Sequence, residues 1–200
     1  MGHYATEPGV ISAIGKPEFE YNLALALEVK AELEKRSVAV RLIGERGDYA
    51  VLHQRTRDAR GADLFISIHH DSVKQRLLPQ AEDFSGYSVF VSRLNPKEKQ
   101  SLLCASSIGR RMREAGFVPS RYHADAVLGE SRPFADKENG VHYYDNLAVS
   151  KTASMPALLV EAGVIVNREE ERRMSDPAVR ARIALAIADG AQSCLGGSVR

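Results

Sequence analysis

Residues 63–71, Asp63-Leu64-Phe65-Ile66-Ser67-Ile68-His69-His70-Asp71, carry the reading on which the fold turns. From Asp63 to His69 the run is nearly continuous in apolar side chains, where a strand with one wet face would alternate polar and apolar positions. The pattern predicts a central strand covered on both sides, with His69 at its carboxyl end. Two imidazoles and a carboxylate at the end of such a strand form a plausible ligand platform, because open α/β sheets build their sites there. The same string is also satisfied by one His capping the strand and the other facing solvent.

Working outward, Leu25, Val29 and Leu33 recur every four residues, and Leu23, Ala26 and Leu27 widen the stripe, which predicts a helix over 18–36. The β-branched alternation of 37–43 (SVAVRLI) predicts a strand that breaks at 44–48, and 52–60 reads as a helix ended by Gly61. Downstream, 86–92 (GYSVFVS) reads as a strand. Pro96 can open a helix to about Ala115, with Gly116 at its end. Residues 117–146 are polar and rich in Gly and Pro without periodicity, so an irregular loop or lid is expected there. Residues 157–161 (ALLVE) form a short buried strand and 168–174 a helical turn or two. Asp176-Pro177 then opens a last helix whose core face is Val179, Ile183 and Ile187, ending near Gly190, with 194–200 as a frayed tail. The sum is a single α/β domain over 1–200: a mostly parallel or mixed twisted sheet with helices on both faces.

Composition narrows the function classes. With 27 Lys+Arg against 26 Asp+Glu, the formal charge of +1 supplies no electrostatic footprint for nucleic acid. The longest apolar stretches, around Leu158 and Ile183, are too short for a transmembrane segment. The opening MGHYATEPGV lacks the basic and then apolar regions of a secretory signal, so no signal peptide is expected within this chain. Cys104 and Cys194 have no CxxC or Cys/His spacing and read as structural or bystander thiols.

Two further features carry chemistry. Glu161 closes the apolar run Ala157-Leu158-Leu159-Val160, where desolvation would raise its pKa toward the range of a general base; an arginine-paired Glu at a sheet edge is the other reading. Gly2-His3, with Glu18 and Glu20 downstream, adds a third group that could join a His/Glu/His metal site, although no compact HExxH-type spacing occurs.

Taken together, these motifs make the chain resemble the catalytic domain of the zinc-dependent N-acetylmuramoyl-L-alanine amidases of the bacterial cell wall. Gly2-His3 with Glu7-Pro8-Gly9 matches the family's opening turn, and Glu18 with Asn22-Leu23 matches its E-x-x-x-N-L step. Leu52, Arg55 and Ala59 match L-x-x-R-x-x-x-A, Ala62 to His69 matches A-D-L-F-I-S-I-H, and Pro156 to Gly163 with Asn167 and Glu170 matches P-A-x-L-V-E-x-G and its sequel. The resemblance implies one Zn2+ per chain held by His3, Glu18 and His69. It implies Glu161 as the catalytic carboxylate, taking a proton from water and returning it to the departing amine. Glu18 rather than Glu20 follows because the family's ligand stands four before the helix Asn. His70, Asp71 and Arg55 are then expected as backing or substrate-facing groups.

The implied substrate is peptidoglycan or a muropeptide, with an activator protein as a further partner and the cell envelope, periplasmic or extracellular, as the location. Arg132, His123, Asp125 and His142, in the stretch 122–145, are expected as a substrate rim or as a solvated loop. Two other functions share this pattern: an inactive peptidoglycan-binding or regulatory module, and a zinc carboxypeptidase or other amidohydrolase. One departure stands out. In the family a buried strand runs into the first His, whereas here only Met1 and Gly2 precede His3, which places that ligand on an end expected to fray.

Overall fold

Side chains alternate along a strand, so a sheet of apolar strands can present two unlike faces. The computed structural model describes residues 1–4, 6–49 and 51–196. Among them, one mixed sheet contains β1 (Phe65–Asp71), β2 (Ser88–Val91), β3 (Phe134–Asp136), β4 (Val141–Tyr143) and β5 (Ala157–Val164), in the order β1-β5-β2-β4-β3. β1 runs parallel to β5 and β2 to β4, while β5 with β2 and β4 with β3 are antiparallel.

One face, with Ile68, Leu158, Val160, Val89 and Val141, packs in a single core with α1 (Glu18–Lys35), α3 (Glu98–Glu114) and α6 (Pro177–Gly196). The short helices α2 (Leu52–Asp58) and α4 (Ala148–Thr152) cover the other face around Phe65 and Ala157. The rest of that second face carries Ser67, His69, Glu161, Ser88 and Phe90. His69 lies in register with Glu161, and Glu161 with Ser88. α5 (Arg168–Ser175) is capped by the Asn167 side chain, which accepts from the Glu169 and Glu170 N–H groups. No helix among the described residues is long and apolar enough to cross a membrane.

Several elements differ from their sequence reading. Residues 37–43 form no strand, although Val38, Val40 and Leu42 do turn toward the core. Among the described residues they join no strand: the Met1 amine bonds to the Ile43 carbonyl (3.2 Å), and a cavity of about 230 Å³, lined in part by Met1, Val40, Leu42, Ile66 and Ile68, lies beside β1. β1 continues two residues past His69 with an irregular register at Asp71, and β5 continues past Glu161 to Val164, so Glu161 is interior to its strand instead of closing it. The stretch 117–146 contains a 3-10 turn (Tyr122–Ala124), β3 and β4; three-residue strands are too short for alternation to register.

α6 passes Gly190 and runs to Gly196, because Gly190 is a contact glycine, not a cap: a Cβ there would strike the backbone of Ile108 in α3. Of the expected frayed tail, 194–196 is therefore helical and 197–200 lies outside the described residues. Cys104 and Cys194 are not bystander thiols. They join α3 to α6 as a disulfide, with Cα atoms 5.1 Å apart.

Candidate metal centre

The first residue of a helix is favourable for an anion, since its free N–H groups and the helix dipole both present positive charge. Glu18 takes that position in α1 and is 3% exposed. Its carboxylate accepts from the Asn22 side-chain amide (2.9 Å) and the backbone N–H groups of Val10 and His70 (both 3.3 Å). Each remaining approach is filled by an imidazole: His3 Nε2 lies 2.9 Å from Glu18 Oε2, and His69 Nδ1 lies 3.1 Å from Oε1. One ligand atom from each of the three residues lies within 4.8 Å of the others.

Burial pushes the Glu18 carboxyl up, but its hydrogen bonds with His3 and His69 outweigh that and hold it well below the usual carboxylate range. Burial lowers the His69 imidazole despite the opposing pull of Glu18. An ionised carboxylate beside a neutral imidazole is the donor state that a divalent metal requires. Two His and one Glu, with no fourth donor in the group among the described residues, fit zinc with an open position.

His3 is not frayed. The Gly2 N–H donates to the Ile68 carbonyl (2.8 Å), which fixes the segment to the exposed edge of β1. Arg55, 2% exposed, donates to the carbonyls of Met1 (3.1 Å), His3 (2.6 Å) and Tyr49 (3.0 Å). Arg55 thus lies behind His3 and is engaged by backbone carbonyls. His3 itself has φ 60°, an unusual conformation for a side chain of its size that such over-determined surroundings sustain. Gly9, at φ +83°, leaves the space into which a Cβ would drive against the Glu18 carboxylate and, at 2.8 Å, the His3 ring. His70 is 3% exposed and sits behind the site, its Nδ1 2.9 Å from Asn22 Oδ1. Glu20 is exposed, as its place in the first turn predicts.

Glu161 is the neighbour of His69 on the next strand. Its Oε2 is sealed from solvent and has no hydrogen-bond partner among the described residues. Burial, then the charges of Asp71 and Glu18, raise its pKa well above the ordinary carboxylate value, with Arg132 opposing. Such a group binds a proton more tightly than an exposed carboxylate does.

Asp71 does not meet the ligands. Its Oδ2 accepts from the Tyr122 hydroxyl and lies 2.7 Å from His123 Nε2, while His123 Nδ1 lies 3.1 Å from Glu130 Oε2. This buried chain ties the 3-10 turn to the end of β1. The sequence reading placed His123 in a substrate rim or a solvated loop and did not single out Tyr122; a polar stretch without periodicity carries no signal of which side chains turn inward.

The family model described as N-acetylmuramoyl-L-alanine amidase matches residues 1–193. The chain is 29% identical to N-acetylmuramoyl-L-alanine amidase AmiA of Salmonella typhimurium, over 94% of this chain and 72% of that protein. Among solved structures, the catalytic domain of CwlV, an N-acetylmuramoyl-L-alanine amidase from Bacillus (Paenibacillus) polymyxa var. colistinus, superposes with a TM-score of 0.76 at 26% identity, covering 98% of this chain and 94% of that one. The CwlD amidase from Clostridioides difficile, solved in complex with the GerS lipoprotein, shares the fold with a TM-score of 0.72 at 20% identity over 98% and 96% of the two chains.

Proposed function

The chain belongs to the N-acetylmuramoyl-L-alanine amidase family, and from that premise we propose that it is a zinc-dependent hydrolase of the amide bond between N-acetylmuramic acid and the L-alanine of the peptidoglycan stem peptide. The observation that carries this reading is the convergence of His3, Glu18 and His69 within 4.8 Å, with the desolvated Glu161 on the adjacent strand. Zinc held by those three residues would supply Lewis acidity to the scissile carbonyl and to the attacking water.

Glu161 does the proton work. Its carboxylate takes a proton from the water as oxygen bonds to the carbonyl carbon and releases it to the nitrogen as the C–N bond breaks. The products are the lactyl carboxylate of muramic acid and a stem peptide with a free L-alanine amine. Arg55, His70 and Asn22 keep the donors oriented, the task that groups behind a metal site commonly perform.

The reading places the protein in the cell envelope, and the Cys104–Cys194 disulfide suits an oxidising compartment. It also leaves a place for an activator protein, as CwlD has a lipoprotein partner. Mass spectrometry of purified peptidoglycan incubated with the protein tests it. The expected result is release of stem peptides beginning with L-alanine, lost on chelation and restored by zinc. Release of peptides cut at any other bond, or turnover indifferent to a chelator, would overturn it.

A further inference from the structure

Arg132 is held without being used. Its side chain is 20% exposed, and its guanidinium lies 3.7 Å above the Tyr144 ring and 5.0 Å from the Phe90 ring. The backbone is pinned as well: the Arg132 N–H donates to the His123 carbonyl (2.8 Å), and the Arg132 carbonyl lies 3.2 Å from His142 Nδ1. Yet among the described residues the guanidinium makes no hydrogen bond. Its nearest carboxylate oxygen, Glu130 Oε2, lies 3.6 Å from Nε and is engaged by His123 Nδ1 at 3.1 Å.

Other buried or half-buried arginines hold direct hydrogen bonds through their terminal nitrogens or Nε: Arg55 with three carbonyls, Arg36 with Glu32 and Asp189, Arg180 with Glu28. A guanidinium braced on two aromatic faces has already lost most of the side-chain freedom that binding would cost, and its N–H fork matches a carboxylate.

Its place in the sheet says which carboxylate. Phe90 lies opposite Leu159 and Ser88 opposite Glu161, so Phe90 and Glu161 are diagonal neighbours on one face. Arg132 therefore stands on the Glu161 side of the site, away from β1 and its ligand His69. We propose that Arg132 is a specificity-determining residue, binding a free carboxylate of the peptide that follows the scissile amide. The inference rests on the amidase reading for the identity of the peptide and, for the recognition, on a guanidinium whose one ion pair, to Glu130, is long and shared with His123 and which makes no hydrogen bond among the described residues. The charge of Arg132 also acts on Glu161, consistent with that proximity.

The experiment uses two muramoyl peptides, one whose residue after L-alanine carries a free α-carboxylate and one in which that carboxylate is amidated, with zinc-supplied protein. The intact protein should favour the free carboxylate by about 10- to 100-fold in KM, the worth of a charge-assisted hydrogen bond. In Arg132→Ala the discrimination should fall to within about twofold, with part of it restored in Arg132→Lys. Binding of the same peptides to Glu161→Gln protein, read by calorimetry, gives the preference without turnover. Hydrolysis with no preference in the intact protein, or a preference untouched in Arg132→Ala, overturns the role of Arg132 and leaves the amidase reading standing. An Arg132-dependent preference in binding, with no release of L-alanyl peptides, supports the Arg132 role and overturns the amidase reading. If Arg132→Ala does not fold, the intact protein and Arg132→Lys still decide.

Discussion

At the residue scale the chemistry rests on which carboxyl is charged. Glu18 and Glu161 lie on either side of His69, yet burial is reinforced by like charges on Glu161 and outweighed by hydrogen bonds on Glu18. Glu18 has two imidazoles and three N–H donors around it, whereas Glu161 has a sealed, unpartnered oxygen and like charges nearby. Glu161→Gln keeps the shape and removes the proton acceptor, so turnover should fall by about 10²- to 10⁴-fold while zinc, counted by metal analysis, stays bound. His69→Ala should lose both. His123 offers a stability test. Burial would lower its pKa, but the neighbouring Asp71 and Glu130 reverse that and raise it from 6.5 to about 9. A raised imidazole contributes stability in full below its unfolded value and loses it as pH rises through about 9. The shift corresponds to about 3 kcal/mol, so the melting temperature should decline between pH 6.5 and 9.5 and should do so less in His123→Gln. A parallel decline in both proteins would show that the Asp71–His123–Glu130 chain does not carry that stability.

At the element scale, the site is a matter of strand register and of one buried arginine. β1 and β5 were legible as apolar runs ending in chemistry, and their parallel pairing puts His69 and Glu161 side by side. What the run of residues did not reveal is that β5 continues to Val164, because Ala162-Gly163-Val164 is as compatible with a turn as with a strand. The segment 37–43 shows the converse error. Its alternation is real, with Val38, Val40 and Leu42 inward, but a strand exists only when its backbone finds a partner. Arg55 was expected as a substrate-facing or backing group, and its guanidinium donates to three carbonyls behind His3. Arg55→Ala would leave the carbonyls of Met1, His3 and Tyr49 without their donor. We expect a loss of about 2–4 kcal/mol in denaturant unfolding and zinc affinity weakened by about 10- to 100-fold in competition titration. Unchanged affinity would mean that the Gly2 N–H bond to Ile68 alone holds His3.

At the scale of the whole molecule, the long helices α1, α3 and α6 support one face of the sheet so that the other can carry polar groups. The disulfide staples α3 to α6 across a sequence separation of 90 residues. By chain entropy a loop of that size is worth about 4–5 kcal/mol, so a reductant, or Cys104→Ser with Cys194→Ser, should lower the melting temperature by calorimetry. A melting temperature indifferent to reductant would remove the bridge from the stability of the fold. By itself the sequence determined the class of fold and the order of the principal strands and helices, while the four residues proposed for the chemistry came from the family resemblance of its motifs; the fold reading and the placing of His69 and Glu161 at apolar runs were local. Those depend on local periodicity and on side-chain types at the ends of apolar runs, which need no knowledge of neighbours. Only the tertiary structure decided that Gly2 is fastened to β1, that Arg55 grips the chain behind His3, that Asp71 turns to His123, that two cysteines meet, and that the Arg132 guanidinium makes no hydrogen bond among the described residues. Each of those is a contact between segments distant in the chain, and partner, distance and burial come into being only when the chain has closed upon itself.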